Sequence, residues 1–92
     1  EATGAGNTDP DLLAAASEAM ATGVPVVLTT RCAAGAVGPF YGFPGGGRSW
    51  QEAGAILAGD LSGPKARVGL ALGLGAGLDR DGLQALLGGA DR

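Results

Sequence analysis

The sequence predicts an α/β domain, part of a parallel sheet layered with helices, and three observations carry that class. A capped apolar-sided helix starts near Pro10, the unbroken apolar run Val24 to Leu28 follows it directly, and two further helical segments lie beyond Ser62. An apolar run that does not alternate reads as a strand covered on both faces, which is the habit of parallel sheets. Ninety-two residues make one small domain at most, with a modest buried fraction and a thin margin of stability. Nineteen glycines are about three times the average usage of ~7%, and each loses extra backbone freedom on folding. That composition favours a packed scaffold with many tight turns, or a part that leans on neighbouring polypeptide.

The first helix is signalled at both ends. Thr8 or Asp9 is a candidate N-cap, Pro10 fits the first helical position, Asp11 is acidic in the first turn, and Gly23 lies just past the end. Leu12, Leu13, Ala16 and Met20 give it an apolar side. Val24 to Leu28 then form the buried strand. Helix, glycine turn and strand make half of a βαβ unit whose other strand, the one preceding Thr3, is expected to be missing, so that the chain reads as starting mid-architecture. Ala33 to Trp50, rich in glycine, reads as a long loop with an extended piece around Phe40 to Phe43; long loops within compact domains usually carry function or cover something.

Ala55 to Ala58 is expected to form a short strand ended by Gly59 and Asp60. The segment after it reads as a helix with Ser62 as N-cap and Pro64 in the first turn, apolar nearly all round. Gly69, Gly73 and Gly75 each weaken such a helix by ~1 kcal/mol relative to alanine. Close approach of helix to sheet is the expected compensation. A last helix spans Asp79 to Leu87, acidic at its start, apolar at Leu83, Leu86 and Leu87, and stopped by Gly88 and Gly89.

Composition excludes several functions. A net charge of −3, with six Lys and Arg scattered from Arg31 to Arg92, does not make a nucleic-acid surface. The longest weakly polar run, Val68 to Leu78, falls short of the ~20 residues of a membrane-spanning helix, so no membrane partner is expected. Histidine is absent, which removes the usual general base at neutral pH. With one cysteine and dispersed carboxylates, neither a metal site nor a cofactor is expected. Cys32 has no internal disulfide partner, favouring a reducing compartment such as the cytoplasm, and reads as a small apolar side chain after a buried strand. Thr29, Thr30 and Lys65 contain the parts of a hydroxyl nucleophile with an amine base, but nothing in the sequence brings them together.

Two stretches resemble phosphate loops superficially. Gly42 to Ser49 has the GxxxxGK[ST] spacing with Arg48 in the lysine position and no buried strand before it. GAGNTD keeps the first two glycines of GxGxxG and places Asp9 third, where its charge on the helix's positive end repels a pyrophosphate. What remains in that loop is Asn7, whose amide both donates and accepts and so suits a small ligand bearing an ammonium and a carboxylate. The alternative for Asn7 is a purely local task, a left-handed residue in a tight turn.

The order of GAGN before a capped helix, GVPVVLTTRC, and AGDLSGPKAR before a leucine-rich helix resembles the C-terminal part of the bacterial-type L-asparaginases. Members of that family carry a G-x-G-N loop, a VVxSSR-like strand end and a G-x-L-x-x-x-KAR helix start. The likeness runs from Thr3 to about Leu87. Thr29 and Thr30 replace the two serines, Ala5 stands where many members have asparagine, and Gly42 to Gly47 do not match an acidic stretch that some members use. The resemblance implies a Rossmann/flavodoxin-like parallel sheet, of which residues 1–92 are the C-terminal part of the smaller, C-terminal domain. It implies an amidohydrolase that converts asparagine, sometimes glutamine, to the acid and ammonia through a threonine nucleophile, without metal or cofactor.

In such enzymes the nucleophile belongs to the larger N-terminal domain, so no catalytic residue is expected in this chain and the chain alone is expected to be inactive. The C-terminal domain packs on a neighbouring subunit and lends its site the asparagine of the G-x-G-N loop. Asn7 is the matching residue, and L-asparagine or L-aspartate and a second copy are the implied partners. An alternative from another class is a non-catalytic oligomerisation or amino-acid-binding module with the same layers. A third, a nucleotide-binding module, requires phosphate affinity at Gly42 to Ser49.

Overall fold

A computed structural model describes residues 1–32, 35–39 and 45–89. The order of elements is α1 (Pro10–Ala21), β1 (Val27–Leu28), α2 (Gly47–Ala53), β2 (Ile56–Leu57), α3 (Gly63–Gly75) and α4 (Arg80–Leu87). β1 and β2 pair in parallel, Val27 opposite Ile56 and Leu28 opposite Leu57. Ala2 forms a parallel bridge with Thr30 on the other side of β1, through Ala2 N–H to the Thr29 carbonyl at 2.7 Å and Arg31 N–H to the Ala2 carbonyl at 2.8 Å. The opening residues therefore run beside β1, and successive parallel segments are joined through α1 and α2.

Side-chain alternation along the strands places helices on both faces. Leu28 and Leu57 pack with Ala2, Val37, Trp50 and Ala55, and Leu13, Ala16 and Met20 of α1 cover that cluster. Val27 and Ile56, the other register pair, belong to a second cluster with Leu83 and Leu87 of α4, joined by Leu61 and Leu70. The sheet is thus layered between α1 and α2 on one side and α3 and α4 on the other, the α/β arrangement expected.

β2 has its outer edge closed by a side chain. Gln84 accepts from the Leu57 N–H and donates to the Leu57 carbonyl, each at 2.9 Å. One amide so satisfies the two backbone groups that a further strand would pair. Arg80 does similar work at the end of α2, donating to the Gly54 and Ala55 carbonyls at 3.2 and 3.1 Å.

Several elements depart from expectation. The run Val24 to Leu28 narrows to Val27–Leu28, because Pro25 has no N–H to pair and Val24 instead donates to the Ala19 carbonyl at the end of α1. The segment read as loop up to Trp50 contains the start of α2; its N-cap is Gly46, which has no capping side chain, and a seven-residue helix shows no readable period. The extended piece around Phe40 to Phe43 lies outside the described residues. The last helix begins at Arg80, since Asp79 is its N-cap and accepts from the Gly82 N–H at 2.8 Å.

α3 is a helix with Ser62 as N-cap, yet it is not buried all round. Val68 is 60% exposed and Leu72 69%. Gly69 and Gly73 approach α4 rather than the sheet, a Cβ at Gly69 standing 2.7 Å from Leu87 Cδ2 and one at Gly73 2.5 Å from Leu83 Cδ2, whereas one at Gly75 would meet nothing within 4 Å. Leu12, counted on the covered side of α1, is 54% exposed.

Candidate functional site

The carboxyl ends of parallel strands carry the loops that face ligands in open α/β sheets, and here Thr3 to Asn7 leave the sheet at that end. The loop closes on itself: Asn7 N–H donates to the Thr3 carbonyl at 2.9 Å, Gly6 N–H to the same oxygen at 3.1 Å, and Thr3 N–H to the Asn7 carbonyl at 3.2 Å. So tight a closure requires left-handed backbone, supplied by Gly4 at φ +53° and Gly6 at φ +109°. Asn7 does not share in it. Among the described residues no non-glycine has a positive φ, so the local, left-handed explanation for Asn7 is removed.

The Asn7 side chain is half-buried at the wall of an open cleft of about 330 Å³, together with Glu1, Thr3, Thr8, Asp9, Leu12 and Arg31. Both signs of charge line it. Asp9 is partly committed, since its carboxylate accepts from the Asp11 N–H at 2.7 Å as the N-cap of α1. Asn7 Oδ1 is buried without a hydrogen-bond partner, the sole such side-chain atom among the described residues. Leaving an acceptor in that state costs about 1–3 kcal/mol, and an unpartnered group in an otherwise satisfied structure calls for an explanation. A ligand or neighbouring chain that supplies a donor, with the amide turned toward it, recovers that cost.

Cys32 differs from expectation: it is exposed, because the chain leaves the sheet at Arg31 and the thiol projects toward the loop instead of the core. Gly4 N–H donates to Cys32 Sγ at 3.2 Å. That bond, with the Thr30 side chain and the Arg31 charge, holds the thiol below its ordinary range. Thr29 and Thr30 are buried, and Thr30 Oγ1 donates to the Ala2 carbonyl at 3.4 Å and accepts from the Cys32 N–H at 3.2 Å. Lys65 is exposed in the first turn of α3, and no hydrogen bond among the described residues joins it to either threonine. The three are not assembled into a nucleophilic centre. Arg48 is exposed at the start of α2.

Trp50 and Thr8, which sequence reasoning did not connect to Asn7, lie directly behind the loop. Trp50 Nε1–H donates to Thr8 Oγ1 at 2.7 Å from a ring that is 3% exposed. The available signal was a lone tryptophan in a chain poor in aromatics, but nothing local says which loop it touches.

A three-layer arrangement with a G-x-G-N loop at the carboxyl ends of its strands defines an α/β module, and comparison with known proteins gives its family. Residues 1–87 match the glutaminase/asparaginase C-terminal domain, and the chain belongs to that family. A probable L-asparaginase of Deinococcus radiodurans is 45% identical over 83 residues, covering 90% of this chain and 25% of that protein. The crystal structure of L-asparaginase I from Vibrio cholerae superposes with a TM-score of 0.70 at 33% identity, again over 90% of this chain and 25% of that one. The chain thus spans a quarter of the length of these relatives.

Proposed function

We propose that this chain is the C-terminal part of an L-asparaginase-type amidohydrolase that converts asparagine to aspartate and ammonia. In this reading residues 1–92 supply a substrate contact and subunit packing, and the threonine nucleophile lies in polypeptide outside them. The observation that carries it is Asn7: a residue lining the cleft at the carboxyl end of a parallel sheet, with a buried amide oxygen lacking a donor and no left-handed backbone to account for asparagine. Arg31 and the carboxylates of Glu1 and Asp9 around the same cleft complement the carboxylate and ammonium of an amino acid. Family membership and the two asparaginase relatives support the same activity.

A larger groove of about 860 Å³ between α3 and the sheet face at Val27 and Thr29 supports the packing role. Together with exposed Val68, Leu72 and Leu74 it leaves more apolar surface open than scattered residues explain, as expected of a partial domain that meets further polypeptide. The test is Asn7→Ala in the full-length enzyme. Removing one hydrogen bond to a charged ligand is expected to lower transition-state stabilisation by about 1–3 kcal/mol, a roughly 5- to 150-fold fall in kcat/KM for asparagine. Unchanged kinetics would remove Asn7 from the site.

A further inference from the structure

We propose that Trp50 is a positioning residue for Asn7, acting through the Thr8 hydroxyl; the inference rests on the substrate role proposed for Asn7. The loop from Thr3 to Thr8 is held on both sides of Asn7. Ahead of it, the Ala5 carbonyl accepts from the Gly38 N–H at 3.0 Å, and behind it Thr8 N–H donates to the Gly45 carbonyl at 2.8 Å. The Thr8 hydroxyl donates to that same Gly45 oxygen at 3.0 Å, with the Asp9 carbonyl as a longer second acceptor at 3.2 Å, and accepts the Trp50 indole N–H at 2.7 Å. A hydroxyl with one proton and free lone pairs is thereby oriented from both ends.

The contacts admit little slack. A Cβ at Gly45 would collide with the Thr8 carbonyl oxygen, and one at Gly47 with the Gly38 carbonyl oxygen, standing also 3.3 Å from the Ala5 oxygen. Gly45 and Gly47 thus let backbone lie directly on backbone, and Trp50, one turn further along α2 from Gly47, fixes that contact to the core. Its ring packs with Leu28, Leu57 and Ala55 and does not line the cleft that Asn7 lines. Any effect of its indole nitrogen on substrate therefore passes through Thr8 and the loop. Sub-ångström placement decides how well a binding group serves a reaction, and a buried donor aimed at the neighbour of Asn7 is suited to set it.

The experiment is a set of double-mutant cycles in the full-length enzyme, with kcat and KM for asparagine and a thermal melt for every variant. Trp50→Phe keeps a ring and deletes the donor; Thr8→Val deletes the acceptor and serves if the tryptophan variant does not fold. Each is expected to lower kcat/KM roughly 3- to 10-fold, the scale of one hydrogen bond, and the pair together no more than the worse single change. In an Asn7→Ala background neither should lower kcat/KM further, whereas a general loss of structure would lower it there too. The proposal is overturned if Asn7→Ala is impaired while both other single variants match wild type, or if their losses persist undiminished in the Asn7→Ala background. Wild-type kinetics for Asn7→Ala itself would overturn the substrate role and this inference together.

Discussion

At the carboxyl ends of the strands Gly47 faces a backbone oxygen, that of Gly38, whereas between α3 and α4 Gly73 faces the methyl end of Leu83. The two glycines resemble each other in sequence, both helical and both in glycine-rich surroundings, and both positions are buried. They differ in what must move if a side chain is added. A leucine changes rotamer at modest expense, but the Gly38 carbonyl belongs to a segment pinned by Val37 N–H on the Gly59 carbonyl at 2.7 Å and Gly38 N–H on the Ala5 carbonyl at 3.0 Å. The site end of the domain is therefore built backbone on backbone, and the far face side chain on side chain. An added side chain meets fixed backbone near Asn7 and movable side chains between the helices.

Alanine substitutions order this contrast. The largest loss is expected for Gly47→Ala, about 3 kcal/mol or more, at the top of the overpacking range because the Gly38 carbonyl in the way is held backbone. Thermal midpoints of the full-length protein check it; a shift no larger than that of Gly73→Ala would mean the loops yield as readily as leucines. Gly73→Ala sets ~1–3 kcal/mol of overpacking against ~1 kcal/mol of regained helix propensity, for a net loss of about 0–2 kcal/mol. Its neighbour Gly75, whose added Cβ would meet nothing within 4 Å, isolates the propensity part. Gly75→Ala is expected to stabilise by up to ~1 kcal/mol, and a destabilised variant would show a contact on that face.

The smallest effect sharpens the contrast within the site end itself. Cys32 touches the loop through one exposed bond from Gly4, so Cys32→Ala is expected to leave the thermal midpoint nearly unchanged. The thiol should nonetheless titrate below its ordinary value, chiefly because the Gly4 N–H stabilises the thiolate. A lowered native value means that its small contribution is present above the ordinary thiol range and fades as pH falls through the native value. Alkylation rate against pH, folded against denatured, measures this; coincident midpoints would show that the Gly4 bond does not form in solution.

Much of the candidate site's local backbone was legible because it depends on residue types with local duties. Gly4 and Gly6 announce a left-handed loop, Asp9 and Pro10 announce the helix after it, and Asn7 is a candidate whose local, left-handed alternative is removed only by the backbone φ. Its neighbours in space were not legible. Trp50 lies 42 positions from Thr8, and no pattern in either segment encodes that hydrogen bond. Cys32 was misplaced for a related reason: following a buried strand predicts burial only while the strand continues, and here the sheet ends at Thr30.

By itself the sequence determined the capped helices α1, α3 and α4, the parallel class of the short strands and the G-x-G-N loop, since caps, left-handed turns and unbroken apolar runs are decided within a few residues of chain. Only the tertiary structure decided α2, whose glycine start lacks a cap and whose anchor is one buried tryptophan, and the closing of β2 by Gln84. It alone also decided which face each strand residue serves and which partners surround Asn7. Those features are contacts between segments distant in sequence, and their energy appears only once the sheet brings the segments together.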